Sequence, residues 1–415
     1  MLTVKDLSET RRMLFEMAES LDTRFDPESV ELTDALGRIL AEPVFAEADV
    51  PAFNRSLVDG YAVHASDTFG ASESMPAILK LDGEVRMGQS AGRPLQPKTC
   101  QAVPTGGQIP AGADAMIMIE DVDDFGDGFR YMNRAVSPGS YLIFRGDDIR
   151  QGDVLLAEGT RLETRHLAAA AAAGLGRVTV RRRLTVAVIS TGDELVEPGK
   201  PLEDGQIHDV NQIMLTVMIR QAGAVPCPYG IVPDDFEKLK SVMKQAKIDC
   251  DVIVISGGSS VGTRDHVAAA IEDAGKPGIL QHGIAVKPGK PTLLGLCDGK
   301  PVIGLPGHPV AAWFMASQLL LPLLYRMQRL PEPRAATIEA RLSRRIPSNN
   351  GREEFILIQL SGTDTATPVF AKSGLITLLS RCQGYIRIPR DCEGLDQGSL
   401  VAVTLMDGDF QKGVE

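Results

Sequence analysis

Apolar positions recur along this chain with three different spacings, and the changes of spacing divide it. Residues 4–22 and 28–41 carry apolar side chains at helical intervals, so both are predicted helices. Residues 42–53 are interrupted by Pro43 and Pro51 and read as an extended connector. From about 51 to 146, short apolar runs alternate with Gly and Pro clusters, which predicts a small β domain, barrel-like in kind. Residues 147–182 are mixed and contain an alanine-rich helix from Arg165, closed by Gly174.

The clearest block begins at Leu184. Apolar runs at 184–190, 226–232 and 251–256 predict strands. Helical spacing at 211–222, 234–246 and 265–274 predicts helices between and after them, the first capped by Asn211 and ended by Gly223. Such alternation implies a doubly wound parallel sheet with helices on both faces. Ligands of these sheets bind beyond the carboxyl ends of the strands. The loops at 190–194, 256–265 and 305–309 follow strands and belong to that end. The apolar stretch 310–324 reads as a buried helix, too short to span a bilayer. Residues 331–334 look like a linker, and strand-like runs from 335 predict a last β domain. The implied division is 1–50 with 146–182 as a mixed elongated domain, 51–145, 183–330 and 335–415.

Composition narrows the function. A 44% hydrophobic content supports a sizeable core. A net charge of −11 argues against nonspecific nucleic-acid or anionic-membrane binding, and 5% aromatic residues against a base-stacking surface. An acidic chain that binds an anion has to concentrate its lysines locally. Six cysteines without a CxxC pair read as reduced thiols rather than a disulfide or zinc framework. The first residues lack a signal-peptide core, so the expected location is cytoplasmic.

Three loops carry candidate chemistry. The run at 251–256 enters Gly257, Gly258, Ser259, Ser260 and Gly262, with Asp265 opening the next helix. A strand, a glycine loop and a helix N-terminus present main-chain N–H groups and a positive dipole end to an anion. The second loop holds Lys287 and Lys290 around Pro-Gly, and the third is Pro306-Gly307-His308-Pro309. The two lysines could face one anion from a rigid turn or stand solvated. Asp265 could cap its helix as well as bind. Asp59 precedes Gly60 and could shape a turn, Glu194 could be a solvated loop acid, and Asp234 beside Asp235 could cap a helix. His308 either touches an oxyanion or fills a turn. Ser259 and Ser260 have no His and Asp at triad spacing.

Together, Asn54–Val63 (NRSLVDGYAV), Thr105–Asp114 (TGGQIPAGAD), Ser190–Glu194 (STGDE), the glycine loop, Lys287–Lys290 (KPGK) and Gly304–Pro309 (GLPGHP) resemble the molybdopterin molybdenumtransferases, the MoeA family, which includes the gephyrin E domain. The resemblance covers nearly the whole chain in order. It implies an elongated four-domain homodimer whose α/β domain is MogA/MoaB-like. It implies insertion of molybdate into adenylylated molybdopterin, release of AMP and use of Mg²⁺, with a molybdopterin adenylyltransferase as a possible partner. Carried over by motif, Asp59, Glu194, Asp265, Lys287 and Lys290 are catalytic. Asp59, Glu194, Asp234 and Asp265 are metal ligands, in keeping with the preference of Mg²⁺ for hard oxygens. Thr105, Gly257, Gly258, Ser259, Ser260, Gly262, Pro306, Gly307, His308, Pro309 and Ser373 contact the pterin substrate. Three positions depart from the family pattern. His308 stands where Asn is common, Ser259 where Val is frequent, and Ile143 where Arg is usual, with Arg145 two residues on. Those departures leave open a tungstate-inserting paralogue or a noncatalytic scaffold that holds the pterin.

Overall fold

The computed structural model describes residues 4–21, 26–257, 266–349, 351–362, 364–370 and 374–406. They form two compact units, Met1–Asp26 with Arg182–Glu415, and Pro27–Arg181.

The larger unit is built on a six-stranded sheet. Its order is Val225–Val232, Thr185–Thr191, Val252–Ser256, Lys300–Leu305, Leu293–Cys297 and Pro277–His282. The first four strands are parallel and the last two antiparallel. Both faces are covered, which explains why the strand runs are continuously apolar rather than alternating. Val186, Val188, Val254 and Ile303 pack with Leu215, Ile219 and Phe314 from the helices Val210–Gln221 and Pro309–Met315. Ala187, Ile189, Ile253 and Ile255 point the other way, against Leu239, Met243 and Ile271 from Phe236–Asp249 and His266–Ala274. Each of these fully buried Ile and Leu side chains contributes about 1.5–3 kcal/mol of transfer free energy.

The helical stretch after Pro309 continues to Met327, 19 residues, which by length and composition is enough to cross a membrane. It is longer than the expected 310–324. Phe314, Leu319, Leu320, Leu323 and Leu324 are fully buried in the core of the unit, beside Leu7 and Leu14 from the helix Leu7–Ser20. Pro322 has no N–H to donate, and the ladder widens to a π turn at Ala316–Leu320. The Gln318 carbonyl that Pro322 leaves free accepts from Arg11 Nη1 at 3.1 Å.

The C-terminal strands close on themselves. Glu353–Ser361, Thr365–Val369, Thr337–Leu342, Leu400–Leu405 and Gly384–Ile388 pair in that order, and the last pairs back to the first. Leu342, Ile358, Ile386 and Val403 fill the barrel. A short strand, Val286–Lys287, adds in parallel to Glu353–Glu354 from outside.

The smaller unit holds a six-stranded mixed sheet. Its order is Ala115–Met118, Gly60–Val63, Thr99–Val103, Ala77–Glu84, Phe129–Met132 and Val122–Asp123, around Val63, Leu79, Ile117 and Met132. A second cluster in the same unit unites Leu40, Leu162, Val178 and Val180. Here the predicted helix over 28–41 is not found. Pro27–Glu31 is a strand paired with Arg177–Arg181, followed by a single 3₁₀ turn at Leu32–Asp34 and a left-handed Gly37. The helical spacing was misleading: ladder hydrogen bonds and burial of Leu40 against Val180 outweigh weak local preference. The helix Thr164–Ala172 does end at a left-handed Gly174, φ +90°.

Candidate functional site

Three of the parallel strands end side by side. Thr185–Thr191 runs into Gly192–Glu194, Val252–Ser256 into Gly257, and Lys300–Leu305 into Pro306–Pro309. Gly257 has φ +107°, and a side-chain carbon there would collide with the Thr191 carbonyl. A side-chain carbon on Gly307 would lie 3.6 Å from the Gly257 Cα. The three loops therefore touch, and at Gly257 only glycine permits the approach. Beside them opens a cavity of about 590 Å³, lined among others by Glu194, Asp209, Asn211, Asp234, Gly257 and Gly307.

The cap of the helix Val210–Gln221 was misplaced by two residues. Asp209, not Asn211, is the N-cap, its Oδ1 accepting from the Gln212 N–H at 3.1 Å. Asn211 is thereby free to do something else. Its Nδ2 donates to Ser256 Oγ at 2.7 Å and to the Gly307 carbonyl at 2.8 Å, tying two of the three loops together. The signal was present in Asp-Val-Asn, where two good caps stand two apart; periodicity alone does not choose between them. Asp209 and Asn211 are the functional candidates that sequence reasoning missed.

Asp234 is not a cap either. Asp235 accepts from the Lys238 N–H at 2.9 Å, while Asp234 Oδ1 accepts from the Thr191 hydroxyl at 2.8 Å. Glu194 is exposed, and its carboxylate folds back over Gly192. Glu194 and Asp234 thus share one cavity with Gly257, Pro306, Gly307, His308 and Pro309. Pro309 is the first residue of its helix and His308 its N-cap. Gly258, Ser259, Ser260, Gly262, Asp265 and Ser373 lie outside the described residues.

The lysines are placed differently from each other. Lys287 sits on the strand added to the barrel, and its Nζ lies 3.1 Å from Glu354 Oε2, a carboxylate only 1% exposed. Part of its charge is therefore committed to a buried acid. Lys290 is exposed, with no ion pair among the described residues. Neither ammonium lines the cavity, although the adjoining Pro291 does. The turn that holds both is seated on the helix after Pro309, since a side chain on Gly289 would strike Met315.

In the smaller unit Asp59 and Thr105 come together: Asp59 Oδ1 accepts the Thr105 N–H at 2.7 Å. Gly60 is required beside them, because any side chain would collide with the Ile117 carbonyl. Arg145 pairs with Asp49, and its N–H donates to Asn54 Oδ1 at 2.8 Å. Ile143 pairs with Arg55 across a short ladder.

Among the described residues, no three His, Cys, Asp or Glu side chains are gathered to hold a metal. Two carboxylates on one cavity, Glu194 and Asp234, nonetheless fit Mg²⁺. That ion is held by one or two protein carboxylates, with phosphate oxygens and waters completing its shell. All six cysteines are free thiols. Burial pushes the Cys100 and Cys250 thiols up to about 12, so they are inert packing groups at neutral pH.

Comparison with known proteins agrees along the whole chain. Residues 6–174 match the MoeA N-terminal region (domain I and II), 187–326 a probable molybdopterin binding domain, and 339–406 the MoeA C-terminal region (domain IV). A putative molybdopterin biosynthesis protein of Methanocaldococcus jannaschii is 33% identical, covering 96% of this chain and 98% of its own. Molybdopterin molybdenumtransferase 2 of Mycobacterium tuberculosis is 33% identical, covering 96% and 99%. The crystal structure of a molybdopterin biosynthesis MoeA protein from Pyrococcus horikoshii superposes with a TM-score of 0.84 at 38% identity, over 98% of this chain and 100% of that one. On this evidence the chain belongs to the MoeA family.

Proposed function

We propose that this protein is a molybdopterin molybdenumtransferase that inserts molybdate into adenylylated molybdopterin and releases AMP. The observation that carries the reading is the single cavity at the carboxyl ends of the parallel strands, where the Gly192–Glu194 loop, Gly257, the start of the helix at Val210 and the Pro306–Pro309 turn meet. The main-chain N–H of Gly307, with the N-terminal end of the long helix after His308, favours a phosphate there despite the chain's net charge of −11. Lys290 supplies unshared positive charge nearby in sequence, and Lys287 a charge partly used by Glu354.

The chain's own work is to bind and orient. Asn211 fixes the spacing of the Ser256 and Gly307 loops, so the anion site is formed before substrate arrives. Thr191 aims the Asp234 carboxylate. A magnesium ion held by Glu194 and Asp234 would neutralise charge on the phosphate anhydride. Water cleaves the anhydride that joins AMP to the molybdopterin phosphate, and the two dithiolene sulfurs replace one oxygen of molybdate, which leaves as water with the two thiol protons. We extend the proposal to Asp59, Thr105, Asp265 and Ser373 as substrate or metal contacts, to a homodimer and to a cytoplasmic location.

The test is incubation of the purified protein with adenylylated molybdopterin, Mg²⁺ and molybdate. AMP should appear in proportion to molybdate consumed. Tight binding of the nucleotide without AMP would mark a scaffold instead and end the enzymatic reading. Tungstate at equal concentration, in parallel, reads the choice of oxyanion.

A further inference from the structure

The cavity wall contributed by the first turn of the helix Val210–Gln221 has a chemistry opposite to that of the glycine loops. Asp209 is 2% exposed and Asn211 6%. Asp209 Oδ1 caps the helix, but Oδ2 is buried with no hydrogen-bond partner, and so is Asn211 Oδ1. Both residues line the cavity. A buried carboxylate oxygen and a buried amide oxygen left unpaired cost free energy unless something donates to them.

Three kinds of occupant can be weighed. An anion is repelled by the carboxylate. A cation is opposed at this wall by the partial positive charge of the helix N-terminus. A neutral ring edge bearing adjacent N–H and NH₂ donors satisfies both acceptors and suffers neither repulsion. A pterin has such an edge, the ring N–H and the amino group of its 2-amino-4-oxo ring. Adenine offers an amino group beside a ring-nitrogen acceptor, which would face the carboxylate lone pair to lone pair.

We propose that Asp209 and Asn211 read the 2-amino-4-oxo edge of the pterin, and so orient the substrate with its ring at this helix and its phosphates at Gly257 and Gly307. The inference rests on the proposed function only in taking a molybdopterin nucleotide as the ligand. It goes beyond that reading by assigning specificity to two residues of the helix start that adjoins the anion loops.

The experiment uses 6-hydroxymethylpterin, whose fluorescence reports binding, and AMP measured by equilibrium dialysis. Asp209→Asn keeps a good N-cap while turning the free oxygen into a donor, and Asp209→Ser keeps the cap while deleting the second oxygen. Both should fold with wild-type melting behaviour to within a few degrees. The pterin should bind the wild type. Its affinity should fall about 10- to 150-fold in Asp209→Asn, the loss of a charge-assisted hydrogen bond, and by less in Asp209→Ser. AMP affinity should change less than about twofold in either, since the assigned edge is read from the pterin and not from adenine. Three results would overturn the assignment: pterin affinity retained in Asp209→Asn, equal losses of pterin and AMP, or a loss of Mg²⁺ affinity without a loss of pterin affinity. Failure of the wild type to bind the pterin overturns it as well. Wild-type AMP release with molybdate, measured in the same preparation, separates these outcomes from failure of the proposed function.

Discussion

Replacing Asn211 by Ala removes the strut between two loops of the cavity and little else. Two hydrogen bonds are lost, to Ser256 Oγ at 2.7 Å and to the Gly307 carbonyl at 2.8 Å. Their net worth is about 1 kcal/mol each. The aftermath differs at the two ends. Gly307 is exposed, so water can replace the amide. Ser256 is 1% exposed, and its hydroxyl oxygen is left without a donor, at a cost of about 1–3 kcal/mol. Ala is the better helix former by roughly 0.6 kcal/mol, which offsets part of the loss. The balance is a destabilisation of about 1.5–3 kcal/mol, or a melting temperature lowered by roughly 3–10 °C for a unit of this size. Differential scanning calorimetry with and without ligand reads it. Asn211→Asp should fall further, because it sets a carboxylate oxygen against the Gly307 carbonyl. A melting temperature for Asn211→Ala within 1 °C of wild type, or Asp more stable than Ala, would refute the strut.

Other consequences follow from the same geometry. Gly257→Ala forces a side chain into φ +107° and against the Thr191 carbonyl, and should cost about 2–4 kcal/mol in urea unfolding; unchanged stability would reject that loop conformation. Lys290→Ala should abolish AMP release at unchanged stability, while Lys287→Ala should also destabilise by about 1 kcal/mol through the buried Glu354, Lys287 itself being half exposed and screened; equal melting curves for the two variants would contradict the difference. Burial alone would raise the Asp251 carboxyl, but the Arg182 guanidinium and the Thr185 N–H and hydroxyl hold it below its ordinary 3.8. Its stabilisation is therefore complete above the ordinary value and lost as pH falls through the lowered one, so wild type and Asp251→Asn should differ at pH 7 and converge in acid titration followed by circular dichroism; a constant gap would be the wrong sign of linkage.

Much of this was legible in sequence where one period dominates over a long run. The strands are apolar over 186–189 and 252–255 because both faces are covered, and the loops after them follow from the rule for parallel sheets. Residues 28–41 were misread because a few apolar positions fit a helix while a distant partner, Arg177–Arg181, decides the outcome. The caps were misread for a local reason. Asp209 and Asn211, like Asp234 and Asp235, offer two capping side chains close together, and only tertiary contacts show which one points into the cavity. The second role of Lys287 depends on Glu354, 67 residues away, through a strand pairing of two residues that no periodicity announces.

The central claim is that the pterin nucleotide sits at the carboxyl ends of the parallel strands. A co-crystal structure with adenylylated molybdopterin tests it most directly. The account predicts phosphate density against the Gly307 amide beside Gly257 and ring density against Asp209 and Asn211. A nucleotide ordered elsewhere on the molecule, with that cavity holding only water, would contradict it.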